Sequence, residues 1–400
     1  MRFDNNITSF KEKLLFKICN FMFYIAYFLI ISSDMLRNVN GFSVYVRFSD
    51  KFGYLILMIS FLLYVYKRDF KIILLQTTIL AILFISFHIS KERELLIMFL
   101  LIIAFQGMNL RTLIKYDISI KLFLMIVVLI LYNFKLTDTY YMLREDGQIR
   151  SSMGFSHPNT FGAYLLSICI DIFYLNFKKI GILYYVFAIF IALIIRYFAD
   201  SRTSIYALIL LCIIHIIFKI SNKKLFTYKL IEKVMIYLFF ILTFFSISLT
   251  YLYKMGNSLV YHLDNLTTGR INLILYFMEN YRITLFGNEI PLILTRELEF
   301  TGIRYLNYLD NGFILLLLRN GVLIFLLAGI FFYKSIKKLF EVKSYDLIII
   351  FFVFLITGLF ESFFYTIHFN TFILYFSQFV LIQTNDIQLL RKNENLNHTI

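Results

Sequence analysis

Four short polar stretches interrupt an otherwise apolar chain, and each contains residue types suited to phosphate or proton chemistry. They are GFSHPNTFG (154–162), ADSRTS (199–204), TTGRIN (267–272) and YLDNGF (308–313). The planar guanidinium of arginine binds phosphate or carboxylate oxygens through paired hydrogen bonds. A carboxylate beside such arginines can take a proton from a hydroxyl group. The pattern therefore predicts an anion site with a general base next to it.

The stretch 154–162 ends a polar segment and begins an apolar one. Pro158 suits the first turn of a helix, and Ser156 or Asn159 can cap it. Amides at a helix start attract anions, and Arg150 and His157 flank this point. Two interpretations stay open with equal weight: a corner that binds a phosphate or an acceptor, and an ordinary helix cap with an interfacial histidine.

Asp310 and Asn311 precede a long apolar run, and Asp310 is the candidate general base. Asp is also a common helix N-cap, and the two roles are compatible. Glu361 is a weaker second carboxylate near the end of the next predicted helix. Arg319 interrupts an apolar run, so it either reaches a partner such as Asp171 or belongs to a broken helix.

Two further arginines stand at the start of predicted helices. Arg202 begins an apolar run beside Asp200, and its simpler interpretation is a side chain that extends to the membrane surface. Arg270 begins a short amphipathic helix that could equally lie on the surface. Arg282 follows twelve residues later, about 120° around an ideal helix, so it does not share a face with Arg270.

The composition predicts an all-α polytopic membrane protein that forms one integral domain over residues 1–400. Of its 400 residues, 60% are hydrophobic and 16% are charged, and the mean hydropathy is +0.77. Continuous apolar runs favour helices over barrel strands. About twelve helices are expected, over residues 14–32, 52–66, 71–89, 95–109, 120–134, 162–177, 180–198, 204–220, 231–253, 311–333, 346–361 and 370–385.

Lysine and arginine are distributed differently along this predicted topology. With both termini in the cytoplasm, 19 of 23 lysines lie inside, as the positive-inside rule requires. Eleven of 16 arginines instead lie at or beyond the outer face. This asymmetry favours a site for an anion at the outer face, and a diphosphate is one candidate ligand. The alternative is that these arginines simply pair with outer carboxylates.

Two long outer segments, 133–161 and 254–310, hold most of the polar residues just described. The second lies between the ninth and tenth predicted helices, and loops of this length are usually functional when they are not disordered. The short cytoplasmic loops leave no room for a soluble catalytic domain. No metal-site spacing occurs, and the net charge of +14 reflects lysines facing anionic lipid rather than nucleic acid.

The order of these motifs resembles the superfamily of bacterial Wzy-type polysaccharide polymerases and O-antigen ligases. The motifs that carry the resemblance are RSSMGFSHPNTFG (150–162), SR (201–202), GRINLILY (269–276), LFG (285–287) and LDNGFILLLLRNG (309–321). The resemblance implies a GT-C-like membrane fold and a metal-independent glycosyltransferase without a cofactor. It would act at the outer face of the bacterial cytoplasmic membrane, for capsule, O-antigen or exopolysaccharide synthesis.

The resemblance also implies roles for individual residues. Arg202 and Arg270 match the arginines that would hold the diphosphate of an undecaprenyl-diphosphate-linked glycan. The resemblance does not assign the base, for which Asp310 is the candidate from its residue type and position, with Glu361 and His157 as alternatives. The further expected substrate-binding residues are Arg150, His157, Asn159, Arg282, Arg304 and Asn311. Donor and acceptor are both lipid-linked glycans in the bilayer, and a flippase and a chain-length regulator are the expected protein partners.

Two other functions remain compatible with the sequence. The ligases have His-Asn where this chain has Asp310-Asn311, which favours the polymerase. A flippase or exporter of lipid-linked oligosaccharide would also need an anion-binding cavity. However, it should place polar groups at mid-membrane, where this sequence has few besides Arg319.

Overall fold

The computed structural model describes residues 10–65, 70–139, 141–143, 147–291 and 309–380 and is all-α apart from one hairpin. The described α-helices are α1 (Phe10–Met35), α2 (Ser43–Val65), α3 (Phe70–Ser90), α4 (Glu94–Ala104), α5 (Leu110–Asn133), α6 (Pro158–Asn176), α7 (Ile182–Phe198), α8 (Arg202–Ile220), α9 (Lys229–Ile236), α10 (Leu238–Lys254), α11 (Ser258–Leu266), α12 (Arg270–Asn280), α13 (Gly312–Leu315), α14 (Val322–Glu341), α15 (Tyr345–Thr357) and α16 (Ser377–Val380).

Several apolar helices could embed this chain in a membrane. Four segments of the described chain are long and apolar enough to cross it, namely Leu14–Met35, Phe70–Ser90, Pro158–Lys179 and Arg202–Ile220. Helices α9 and α10 make a fifth candidate if they form one span, although they meet at an angle of 66°. Apolar α4, α7 and α15 are shorter, with 11, 17 and 13 residues.

The expected continuous helix over 311–333 is broken in the structure. Helix α13 continues as one π-helical turn, Leu316–Asn320, and α14 begins only after Gly321. Gly321 has a φ of +89°, and a Cβ atom there would lie 2.4 Å from the backbone nitrogen of Gly287. Both the positive φ and the lack of space beside Gly287 therefore exclude a side chain at position 321. Hydropathy could not predict this break, because apolar residues lie on both sides of it.

The expected helix over 370–385 is also wrong in its described part. Residues Thr371–Phe376 form a 3₁₀ helix, followed by the single turn of α16, and residues beyond 380 lie outside the described chain. The Asn370 side chain is buried and donates to the carbonyl of Phe364. This segment folds back into the protein, where its irregular backbone is shielded from lipid.

The loop between α5 and α6 contains the only described strands, which the sequence analysis did not predict. Strand β1 (Tyr141–Leu143) pairs antiparallel with β2 (Ile149–Ser151), and Met142 lies opposite Arg150. Just before β1, Thr137 forms an isolated bridge with Val39, which follows α1. The hairpin therefore holds Arg150 against the body of the protein rather than leaving it on a free loop.

Helices α6 and α8 approach closely where both begin. A Cβ atom added to Gly162 would lie 2.6 Å from the Cβ atom of Ser201, so only glycine fits this contact. The contact brings the GFSHPNTFG stretch beside the ADSRTS stretch. Two motifs separated by some forty residues in sequence thus share one end of the helix assembly.

A fully buried polar cluster links α1, α5, α6 and the 3₁₀ helix after Asn370. The Nζ atom of Lys121 lies 2.6 Å from the carboxylate of Asp117 and donates to Ser167 at 2.7 Å. Tyr27 and Thr371 also donate to Asp117, at 2.8 and 2.6 Å. Asp117 and Lys121 pair one turn apart on α5, and hydrogen bonds from Tyr27, Ser167 and Thr371 tie this pair to the other elements, so the cluster fixes how these helices pack.

Replacing Lys121 by Met should destabilise the protein strongly, because Asp117 would remain buried without its cation. The expected loss is about 3–5 kcal/mol in the free energy of unfolding, measured by denaturation in detergent. Lys115→Met is the matched control, since Lys115 is exposed on the same helix. Equal stability of the two variants would contradict the structural role of the cluster.

Candidate functional site

Arg270 is held in place by the connection between α11 and α12. Gly269 precedes α12 with a φ of +77°, and the carboxylate of Asp264 accepts hydrogen bonds from the amides of Ile271 and Asn272 at 2.7 and 3.1 Å. These are amides that a helix start leaves without partners. Asp264 therefore fixes the first turn of α12 and, with it, the position of Arg270.

The guanidinium of Arg270 lies between two carboxyl groups. Its Nη2 atom is 3.3 Å from Oδ2 of Asp310 and 3.8 Å from Oε1 of Glu361. Its Nη1 atom donates to the carbonyl of Phe360, and the group lies 5.8 Å from the centre of that ring. About a fifth of the Arg270 side chain is exposed, 22%, so ligand can still reach it.

Asn159 and Arg150 extend this arrangement to the start of α6. Asn159 donates to Oε1 of Glu361 at 2.8 Å, and its carbonyl oxygen accepts from Arg150 at 2.5 Å. Arg150 also donates to the carbonyl of Ala199 at 2.7 Å. We call Arg150, Asn159, Arg270, Asp310 and Glu361 the Arg270 cluster.

The Arg270 cluster joins five separate parts of the sequence. The hairpin contributes Arg150, the start of α6 contributes Asn159, and α12 contributes Arg270. Asp310 and Glu361 come from the segments before α13 and after α15. Three of the four polar stretches of the sequence thus supply one site, and the fourth adjoins it through Ala199.

Burial raises the pKa of both carboxyl groups in the Arg270 cluster. The pKa of Glu361 rises to about 8, through desolvation and then the nearby charge of Asp310, while Arg270, Arg150 and Asn159 oppose the rise. Desolvation also raises the pKa of Asp310, opposed by Arg270 and Arg150. At neutral pH, Glu361 is therefore largely protonated. Asp310 lies closer than Glu361 to the Arg270 guanidinium, at 3.3 Å against 3.8 Å, which favours the ionised form of Asp310.

His157 caps α6, where Ser156 or Asn159 was expected to do so. Its Nδ1 atom accepts from the amide of Asn159 at 3.0 Å, which also helps to orient the Asn159 side chain. Desolvation, and secondarily Arg150, lowers the pKa of His157 to about 4. His157 is therefore neutral at pH 7 and contributes no positive charge for an anion.

Asn311, not Asp310, caps α13. Its side-chain oxygen accepts from the amide of Ile314 at 3.0 Å, and its nitrogen donates to Ser246 at 2.9 Å. Asn311 is buried, and these two hydrogen bonds hold the chain beside Asp310. Asp310 therefore faces Arg270, in a position suited to a base or to a counter-ion.

Arg202 lies next to the Arg270 cluster but outside it. Its Nε atom is 3.7 Å from one carboxylate oxygen of Asp200, and Arg196 contacts the other oxygen. Ser201 precedes α8 without a side-chain cap. Arg202 begins α8 only three residues after Ala199, the residue whose carbonyl binds Arg150.

Arg282 and Arg304 are not brought to the site by the described structure. Arg282 is exposed two residues beyond the far end of α12, whose eleven residues span about 16 Å from Arg270. Arg304 lies outside the described residues. Arg319, for which Asp171 was a suggested partner, instead binds Glu92, with 2.7 Å between Nη1 and Oε2.

Five of the arginines predicted to lie at the outer face pair with carboxylates, as the simpler interpretation of the sequence expected, and so does Arg319. The described pairs are Arg37–Asp34, Arg93–Asp50, Arg196–Asp200, Arg202–Asp200, Arg270–Asp310 and Arg319–Glu92. Pairing and anion binding are compatible, because a guanidinium has five N–H donors and one carboxylate uses at most two. Arginine alone therefore does not define the site; the grouping of Arg150 and Arg270 does.

Sequence reasoning underestimated Glu361 and missed Asp264. Glu361 was visible as a lone acid in LFESFF, but its contact with Asn159, 202 residues away, was not. Asp264 has no local signal, since it binds amides seven and eight residues later across a turn. Both residues act through the folding of distant segments rather than through a motif.

No family model, no curated protein and no solved structure matches this chain significantly. The geometry of the Arg270 cluster and the order of motifs in the sequence are therefore the features that bear on function. In chemical terms, the cluster offers two guanidiniums, one ionised carboxylate, one protonated carboxyl group and one amide.

Proposed function

We propose that this chain polymerises polyprenyl-diphosphate-linked oligosaccharide repeat units at the outer face of a bacterial cytoplasmic membrane. The observation that carries the proposal is Arg270, held between Asp310 and Glu361 and linked through Asn159 to Arg150. Two guanidiniums and an adjacent base are what glycosyl transfer from a diphosphate requires. The motif order that resembles the Wzy-type polymerases points to the same reaction.

In the proposed reaction, a hydroxyl oxygen of the acceptor glycan attacks the anomeric carbon of the donor glycan. The bond between that carbon and the diphosphate oxygen breaks, and the polyprenyl diphosphate leaves with the bonding electrons. Asp310 accepts the hydroxyl proton. Arg150 and Arg270 stabilise the charge that grows on the diphosphate, which is the largest catalytic term in many enzymes.

The protonation of Glu361 matters for this role. With Glu361 neutral, the two arginines and Asp310 give the cluster a net charge of about +1, which favours a dianionic or more highly charged diphosphate. A second ionised carboxylate would cancel this charge. Arg202, which follows Ala199 by three residues, is the proposed further contact for the diphosphate.

The proposed membrane arrangement keeps about twelve spans in a GT-C-like fold, with both termini in the cytoplasm. The lysine distribution supports this orientation, and the Arg270 cluster would then lie at the outer face. Donor and acceptor would diffuse in the bilayer, so their lipid tails supply proximity without a large soluble pocket. A flippase would deliver repeat units, and a separate regulator would set the chain length.

A deletion strain separates this proposal from its alternatives. Loss of a polymerase should accumulate single repeat units on lipid that are accessible from outside the membrane. Loss of a flippase would trap them on the cytoplasmic side, and loss of a ligase would leave full-length polymer on its lipid carrier. An unchanged glycan profile would rule out all three functions.

Replacing Arg270 by Lys should reduce polymer formation by about 10²-fold, because an ammonium group cannot bind the diphosphate and both carboxyls in a fork geometry. The rate is measured in the complemented deletion strain as polymer formed per unit time. Arg282→Lys is the matched control, since Arg282 is exposed at the other end of α12. Wild-type polymer in the Arg270→Lys strain would exclude bidentate binding.

The affinity for donor should fall as the pH rises through about 8. Glu361 is protonated below its raised pKa of about 8 and ionised above it, so alkaline pH removes the net positive charge of the cluster. KM for the lipid-linked donor, measured with purified protein from pH 6.5 to 9.5, should therefore rise above pH 8. In Glu361→Gln, which stays neutral, this rise should disappear; its persistence would assign the pH dependence to another group.

A further inference from the structure

A polar cavity lies beside the Arg270 cluster, on the other side of the first turn of α6. Its volume of about 330 Å³ is within the range of small-molecule sites and equals that of about eleven water molecules. Ser156 and Thr160 line the cavity, whereas Asn159 between them belongs to the cluster. The segment after α15 also serves both, with Glu361 in the cluster and His368 in the cavity wall.

Two ion pairs and a tyrosine form much of the cavity wall. Arg37 lies 3.4 Å from Asp34, and Arg93 lies 2.7 Å from Asp50. The two arginine side chains nevertheless remain about half exposed, at 50% and 48%. Arg93 also lies 5.3 Å from the ring centre of Tyr54. Hydrogen-bond donors, hydrogen-bond acceptors and an aromatic ring are therefore available together.

The charge of this cavity differs from that of the Arg270 cluster. Four carboxyl groups line it, those of Asp34, Asp50, Glu92 and Glu94, and three of them pair with the guanidiniums of Arg37, Arg93 and Arg319. Burial raises the pKa of Glu94 to about 8, so at neutral pH the cavity has almost no net charge to attract a phosphate or diphosphate group. Carboxylates and guanidiniums side by side instead match the hydroxyls of a sugar, each of which donates one hydrogen bond and accepts others.

We propose that this cavity, the sugar cavity, binds neutral sugar residues of a lipid-linked repeat unit. The inference rests on the proposed function and divides the substrate between two neighbouring sites. The Arg270 cluster takes the diphosphate, and the sugar cavity takes the glycan. The first turn of α6 separates the two and supplies a side chain to each.

The test measures binding of two probes to the purified full-length protein in detergent. One probe is the oligosaccharide released by mild acid from the lipid-linked repeat units of the host, and the other is undecaprenyl diphosphate without sugar. Tyr54→Leu and Asp50→Asn should each weaken oligosaccharide binding about tenfold, as expected for losing one stacked ring or one charged hydrogen bond. Both should leave undecaprenyl diphosphate binding unchanged, which also confirms folding.

Matched variants set the baseline for this experiment. Tyr54→Phe keeps the ring and should bind oligosaccharide nearly as the wild type does, and Glu279→Gln removes an exposed carboxylate outside the cavity. Arg270→Ala should show the opposite pattern, with weakened binding of undecaprenyl diphosphate only. Failure of the wild type to bind the oligosaccharide, or equal affinity in Tyr54→Leu and Asp50→Asn, would overturn the inference.

The outcome is separable from the fate of the proposed function. If deletion leaves the glycan profile unchanged, the polymerase proposal fails, while cavity-dependent binding of the oligosaccharide would still establish a saccharide site. The released oligosaccharide lacks a leaving group and can act only as an acceptor. Its extension by purified protein would assign the sugar cavity to the acceptor, and inhibition without extension would assign it to the glycan of the donor.

Discussion

The position of the partly buried Asp310 and the buried Glu361 beside one guanidinium is the constraint on which the rest of the site depends. Two carboxyl groups in a poorly solvated place repel each other and need a cation between them. Arg270 meets that need, since its Nη2 atom lies within 4 Å of both, at 3.3 and 3.8 Å. The environment then leaves one carboxyl ionised and the other protonated, an arrangement suited to acid–base chemistry near neutral pH.

The helix assembly can be understood as the means of holding this guanidinium and its neighbours in place. Asp264 anchors the start of α12, the hairpin carries Arg150, and Gly162 lets α6 approach α8. Broken helices serve the same purpose, because the break at Gly321 and the irregular segment after α15 bring polar backbone into the protein interior. The proposed division of the substrate between a cationic cluster and a sugar cavity follows from the first turn of α6, which lies between the two.

The sequence predicted the helical class and the polar stretches well, but not which of these stretches contact one another. Arg150, Asn159, Arg270 and Asp310 stood out because polar residues are rare in so apolar a chain. The central place of Glu361 depends on a contact with Asn159 across 202 positions, which no local pattern encodes. The break at Gly321 was only one of two possibilities for Arg319, since apolar residues continue on both sides. Helix caps were misassigned for a related reason: His157 and Asn311 stand beside Ser156 and Asp310, which are themselves preferred N-cap residues.

The most direct test of the central claim is a reconstituted reaction that counts leaving groups. Purified protein is supplied with lipid-linked repeat units, and both the glycosidic bonds formed and the polyprenyl diphosphate released are measured over time. The account predicts one diphosphate released for each bond, with both products lost together in Arg270→Ala and retained in Arg282→Ala. Polymer formation in Arg270→Ala at the wild-type rate, or bonds formed without diphosphate release, would contradict it.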